Sequence, residues 1–341
     1  DDPTTTATTT NITNDDPLFE STDHEKNNNN NEEEEEEERG DNDKKEKGAT
    51  AALIEAMSLS TATKTYVALV RGEGVLRGEN LTARGWFAVD RPIKDERGVE
   101  RNSTTYFNFL AGQDNGGLLN LNATKARASL VLARPQTGRW HQVRRHLNGL
   151  SHPILGDTTH GSSQTNREWK ETRNMPGERT CLHLAHLFLP PNNTTQPFCP
   201  NGINVQCGIP NDMIEMMRLE LPDIWPQAER LLSEQGISLT PPPTSTFQVL
   251  PVFREKKSVK LLPAAVQEDE TRILTQGEHF VVVEKPPSVV CHFSKWSNKQ
   301  PTNGSVEPTA MLQRVRDATG RSVNLVHRLD RGASGCLLLA F

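Results

Sequence analysis

The sequence predicts an α+β fold. Apolar positions recur every second residue in some segments and every three to four in others, so strands and helices both form. The two kinds mix without regular βαβ alternation, which argues against a doubly wound sheet. At 341 residues there is ample length for a buried core, in one large or two ordinary domains. No internal repeat is visible.

Residues 1–48 hold 17 acidic and 5 basic side chains, with five asparagines (27–31) followed by seven glutamates (32–38). Such a segment buries too little apolar surface to offset its chain entropy and is expected to be disordered. Order is expected from Ala49, where AALIEAM has helix-forming composition. TKTYVALVRGEG (63–74) reads as a strand ending in a glycine turn, and ARASLVLARP (126–135) as a second, stopped by Pro135. TGRWHQVRRHLNGL (137–150) changes period, and Trp140, Val143, Leu147 and Leu150 would share one helical face. CLHLAHLFLP (181–190) alternates as a strand does, and 211–221 and 226–235 read as helices. A Pro/Thr-rich linker is expected over 236–265. Beyond it come a strand in EHFVVVEKPP (278–287), a helix over 308–320 closed by Gly320, and a last strand, GCLLLAF.

The formal charge of −6 conceals a division: removing residues 1–48 leaves 27 acidic and 33 basic residues, a mildly basic body of the kind that attracts phosphate backbones. Five cysteines with no C-x-x-C pair point away from a disulfide framework or zinc site and toward a reducing intracellular compartment. No apolar run approaches membrane-helix length, and the first residues lack the features of a signal or transit peptide.

Two motif fragments are set aside. Gly332-Ala-Ser-Gly-Cys336 lacks the second glycine of a nucleophile elbow, and Gly72-Glu-Gly74 lacks the third glycine of a dinucleotide loop. Histidines 141, 146, 152, 160, 183 and 186 are dense but have no metal-site spacing, so no metal is expected. On the helix from Thr137, Arg144 falls at the edge of the apolar face, able to extend toward a pocket, whereas Arg145 faces solvent or a phosphate. In HRLDR, Asp330 lies between Arg328 and Arg331, neighbours that favour an ionised carboxylate suited to nucleophilic attack or charge stabilisation.

Taken together, HRLDRGASG (327–335), EKPPSVVCH (284–292), KTYVALV (64–70) and TGRWHQVRRH (137–146) with HPILGDTTHG (152–161) resemble the signature segments of the RluA family of pseudouridine synthases. The paired arginines of HQVRRHL and the histidine of GDTTHG resemble that family's tRNA pseudouridine synthase C group. The resemblance covers roughly 49–235 and 266–341. It implies a central mixed, largely antiparallel sheet flanked by helices, and isomerisation of a flipped-out uridine with neither metal nor cofactor. By resemblance, Asp330, Tyr66 and Arg144 are the catalytic residues: the aspartate at the sugar–base junction, the tyrosine stacked on the base, the arginine paired with the aspartate. Arg328, His327, Arg139, His141 and Gln142 are implied to contact substrate. The partner implied is RNA, tRNA in its acceptor/T-stem region first and ribosomal RNA as the alternative, bound by a monomer.

The segment order is reversed relative to the family, with 266–341 holding the family's first part and 49–235 its second. Joining Phe341 to Asp1 restores that order, as a circular permutant would; tandem copies or a gene-model artefact give the same order. Ala333 and Ser288 depart from the family's usual threonine and glycine. Two other functions fit parts of the sequence: a non-catalytic RNA-binding relative, and a glycosidase-like hydrolase with Asp157 as second carboxylate.

Overall fold

A computed structural model describes residues 48–112, 127–173, 175–222, 224–239, 271–293 and 309–341. The expected disorder of 1–48 and the expected 236–265 linker lie almost entirely outside the described residues. Helix α1 (Ala49–Ser58) forms where expected and buries a stripe of Ala52, Leu53, Ala56 and Met57. Strand β1 (Thr63–Arg71) follows. A short hairpin, β2 (Val75–Leu76) with β3 (Glu79–Asn80), leads to β4 (Phe87–Asp90). A second small hairpin, β5 (Ile93–Lys94) with β6 (Glu100–Arg101), precedes the long pair β7 (Thr104–Gly112) and β8 (Ala128–Pro135). Helices α2 (Gln142–Gly149) and α3 (Ser163–Thr172) then lead to β9 (Leu182–Leu189) and β10 (Ile203–Gln206). After α4 (Asn211–Glu220) and α5 (Trp225–Glu234) come β11 (Ile273–Gln276), β12 (Phe280–Lys285), α6 (Met311–Thr319), β13 (Asn324–Leu325) and β14 (Ser334–Ala340).

Ten strands make one sheet in the order β11-β12-β14-β9-β1-β8-β7-β4, with β10 added to β9 and β13 to β14. Every pairing is antiparallel except β14 with β9, so the sheet is mixed but largely antiparallel, as the resemblance implies. That parallel pair, Ser334 opposite His183 and Gly335 opposite Leu184, joins the late segment to the early one. Gly335 has φ +121°, and a Cβ there would run into the Leu184 backbone, so only glycine permits the junction. Gly320, at φ +64°, closes α6 as predicted.

Two apolar clusters follow one another along the sheet, each drawing residues from both faces of its strands. One gathers Val67, Leu69, Phe107, Phe109, Leu130 and Leu132 under α2, α4 and α5; the other gathers Val281, Val283, Leu337 and Leu339 with α1 and α6. Tyr66 packs against both. All five cysteines are buried and free. Among the described residues, no helix is long and apolar enough to cross a membrane, and no group of three or more His, Cys, Asp or Glu could hold a metal ion.

One expectation fails within α2. Its helix starts at Gln142, not Thr137, because His141 is left-handed at φ 52° and breaks the phase. Val143, Leu147 and Leu150 are buried as predicted, but Trp140 swings out of the core and is 48% exposed.

Candidate active site

Where β1, β8, α1 and the loops at either end of the chain's two segments converge, they enclose a cleft of about 580 Å³. Its walls carry Tyr66 from β1, Arg139 to Arg144 from the turn into α2, and His327 to Asp330 from the turn before β14. All eight residues singled out from the sequence therefore face one cavity.

Asp330 sits at its floor, with 32% of its side chain exposed. Arg144 Nη1 donates to Asp330 Oδ2 at 2.8 Å, and His141 Nε2 lies 3.5 Å from Oδ1. The rest of the Arg144 guanidinium grips Asp157, Nε to Oδ2 at 2.8 Å and Nη2 to Oδ1 at 2.7 Å. Asp157 is fully buried, and its Oδ1 also accepts the backbone N–H groups of Thr159 and His160, both at 2.9 Å. Burial alone would raise the Asp157 carboxyl; the bonds from Arg144 and the two amides outweigh it and hold the group below its ordinary value. The arginine is thus fixed by one carboxylate and offered to the other.

The neighbours of Asp330 in sequence do not supply its cation. Arg331 turns away, its Nε donating to the Ser288 carbonyl at 3.3 Å and its Nη2 lying 3.7 Å from Glu178. Arg328 is exposed and lines the cleft. The paired cation is Arg144, 186 residues away in the chain.

The Tyr66 phenol is pushed well above its ordinary value, chiefly by burial and then by the Asp330 charge, so it is a neutral phenol at physiological pH. Gln142 has no capacity left for a ligand. Its Oε1 accepts from the Thr137 hydroxyl (2.7 Å) and the Arg139 N–H (3.0 Å), and its Nε2 donates to the Thr104 carbonyl (2.9 Å) and Thr105 Oγ1 (3.0 Å). This glutamine shapes the loop that presents Arg139, whose Nε donates to the Asn102 carbonyl at 3.2 Å. His327 is likewise committed: its Nε2 accepts the Leu338 N–H at 3.1 Å, tying the turn to β14. Burial lowers its ring to about 4 and keeps it neutral. His141 is also lowered to about 4, by burial first, against the pull of Asp330; its Nδ1 meets His160 Nε2 at 2.9 Å.

Beneath the turn, the fully buried Lys285 donates from Nζ to the carbonyls of Pro286 (2.8 Å), Arg331 (3.1 Å) and Ala333 (2.7 Å). Burial pulls its ammonium down to about 7. Lys285, Asp157 and Trp140 complete this site in roles not assigned to them from the sequence. The signal for Asp157 lay in GDTTHG, where an aspartate capping the amides two and three residues on marks an Asx turn.

Residues 45–149 and 279–341 match the family model described as RNA pseudouridylate synthase, and these two blocks carry Tyr66, Arg144 and Asp330. Over these two blocks the chain is similar to the RNA pseudouridylate synthases. It is 47% identical over 129 residues to tRNA pseudouridine synthase C of Yersinia pestis, covering 37% of this chain and 49% of that protein. The protein of the same name from Pasteurella multocida is 31% identical over 159 residues, 46% of this chain and 62% of that one. The chain thus spans about half the length of these synthases, or somewhat more. The solved structure of human RNA pseudouridylate synthase domain containing 1 covers 47% of this chain and 60% of its own at 24% identity, with a TM-score of 0.33, too loose a superposition to carry an argument.

Proposed function

We propose that this protein is a pseudouridine synthase that isomerises a uridine of RNA to pseudouridine, with Asp330 as the nucleophile. The observation that carries the reading is a half-exposed carboxylate held by a buried, pre-fixed arginine, Arg144 Nη1 to Asp330 Oδ2 at 2.8 Å, in the same cleft as the Tyr66 ring. A uridine flipped from its stack would enter that cleft. The Asp330 carboxylate attacks at the sugar–base junction and the N1–C1′ bond breaks. The freed uracil turns over the Tyr66 ring and rejoins through C5. As C5 bonds to C1′ the C1′–Asp330 bond breaks and regenerates the carboxylate. The C5 proton then passes to the Tyr66 oxygen as the phenol gives up its own proton, by way of solvent, to N1. Arg144 holds Asp330 aligned for attack and stands ready to receive the carboxylate when it leaves, which is where a fixed cation is most useful. Arg139 and Arg328, exposed at the rim, suit the phosphates on either side of the extruded nucleotide.

The names of the relatives favour tRNA as substrate; the acceptor/T-stem region as target is what the motif resemblance implies. The glycosidase-like alternative loses its support, because Asp157 is sealed from the cleft and both its oxygens are engaged.

Tritium release from tRNA transcripts labelled at uridine C5 tests the proposal. The protein should release tritium, and Asp330→Asn should abolish it. Undiminished release from that variant, or none from folded wild-type protein that still binds tRNA, would overturn the assignment.

The segment order also reads as a circular permutation, supported by the β9–β14 junction that builds one sheet from the two blocks. Terminal-peptide mapping and the intact mass of the native protein decide this, since a second copy of either block would contradict it.

A further inference from the structure

Among the described residues Trp140 is the most exposed of the large aromatics. It is 48% exposed, absent from both apolar clusters, and placed at the rim shared by the cleft and an adjoining groove of about 430 Å³. One face of the indole is stacked on the His141 ring, centroids 3.9 Å apart and planes 22° from parallel. The His160 ring meets it edge-on at 6.0 Å. The left-handed backbone of His141 is what turns the indole outward. Beyond His141 lies Asp330, 3.5 Å from Nε2.

The groove on the other side of Trp140 is lined by the β5–β6 hairpin, with Lys94, Arg97 and Arg101, and by Arg139. Asp95 is taken up by Arg101 Nε at 3.1 Å and by the turn amides of Arg97 and Val99. Among the described residues no carboxylate pairs with Lys94, Arg97 or Arg139, which leaves Glu96 as the counter-charge in the groove. Arg145, predicted to face solvent or phosphate, anchors the hairpin by donating to the Lys94 carbonyl at 2.8 Å. An exposed aromatic face beside a row of cations is the pattern that holds an unpaired nucleotide: a base on the ring, its phosphates on the cations.

We propose that Trp140 is a stacking platform for the base of a nucleotide flanking the target uridine, with Lys94, Arg97 and Arg139 on the adjoining phosphates. The inference rests on the RNA reading above and assigns the contact that would fix which neighbour the target uridine can have. The flanking base, the indole and the imidazole of His141 form a continuous stack ending beside Asp330, so correct seating of the neighbour also steadies the reacting end.

Acceptor/T-stem RNA hairpins carrying 2-aminopurine, moved one position at a time, provide the test. With wild-type protein the fluorescence at one position should be quenched on binding. Trp140→Leu should lose that quench and bind about tenfold more weakly, the size of one base–aromatic stack. Trp140→Phe should restore most of both, which a merely structural apolar role would not require. The salt dependence should separate the two kinds of contact: unchanged in Trp140→Leu, but shallower by about two in slope in the double variant Lys94→Gln, Arg97→Gln. A Trp140→Leu protein with wild-type affinity and quench would overturn the platform. Tritium release is read in parallel. A Trp140-dependent quench without release sinks the enzyme reading and leaves the platform standing; failure to bind RNA sinks both.

Discussion

Asp157 and Asp330 hang from the same guanidinium, yet their surroundings differ in every other respect. Asp157 is fully buried, grips Arg144 through both oxygens and caps two backbone amides. Asp330 takes one bond from Arg144 and keeps a third of its surface open to the cleft. The difference teaches how a scaffold makes a reactive carboxylate: it saturates one partner of the arginine so that the other meets a cation already in position. Arg144 has no freedom left to reorganise when a substrate arrives.

The largest effect should therefore fall on activity at one end and on stability at the other. Asp330→Asn should reduce tritium release by about 10⁴-fold or more, the scale on which removing a nucleophile acts. Its urea-unfolding free energy should stay within about 1 kcal/mol of wild type, since water in the cleft can replace the lost acceptor. Asp157→Asn should do the reverse first, costing about 3–5 kcal/mol because half of a buried ion pair is removed. A stable Asp157→Asn protein would break the comparison, as it would show that Arg144 needs only Asp330 to hold it.

Lys285 sharpens the same point on the carboxylate's own side. Its ammonium has three N–H donors; two meet the Arg331 and Ala333 carbonyls of the turn around Asp330, and the third meets the Pro286 carbonyl beside it. Lys285→Met keeps the length of the side chain but strands those carbonyls, at an expected cost of about 2 kcal/mol or more. Release should fall along with stability, unlike either aspartate variant, because the turn that carries Asp330 is what loosens. Equal activity at reduced stability would place the lysine in the core alone.

How much of this was legible depended on distance along the chain. Local patterns gave the strands of β1, β8, β9, β12 and β14 and the helix of α6, because alternation, 3.6-residue spacing and a closing glycine are properties of neighbours. Neither β7 nor α3 is among the elements expected from the sequence, although β7 is rich in aromatics and threonine and α3 has Ser162 as its N-cap. Within the site, the motifs marked which residues matter, but the electrostatics of HRLDR were misjudged from adjacency. Arg331 goes to Glu178, and the partner of Asp330 comes from α2, which no spacing rule encodes. Trp140 was misplaced because helical phase was extended through His141, whose left-handed backbone resets it.

The smallest effect at neutral pH concerns two histidines on opposite sides of that divide between scaffold and cleft. His183 is fully buried at the β9–β14 junction, its Nδ1 meeting the Ser334 hydroxyl at 2.8 Å and its Nε2 the Cys207 carbonyl at 3.1 Å. A carbonyl can only accept, so Nε2 carries the proton and Nδ1 accepts from Ser334. Burial lowers the His183 ring to about 3, and lowers His141 and His327 to about 4. All three are neutral when folded and take up a proton on unfolding below their ordinary value near 6.5. The unfolded chain then binds more protons, so stability is full above about pH 6.5 and falls as pH drops toward 4, by about 1.4 kcal/mol per unit for each ring. This window lies above that of the depressed Asp157, whose contribution is lost only below its ordinary value of 3.8. Urea unfolding followed from pH 7 to 4 should show the slope, and His183→Gln should flatten it by one ring's share without moving the pH dependence of tritium release. His141→Gln, facing Asp330, should alter that pH dependence. If both variants changed only stability, His141 would belong with the scaffold, and the cleft side of Arg144 would hold a single titrating group.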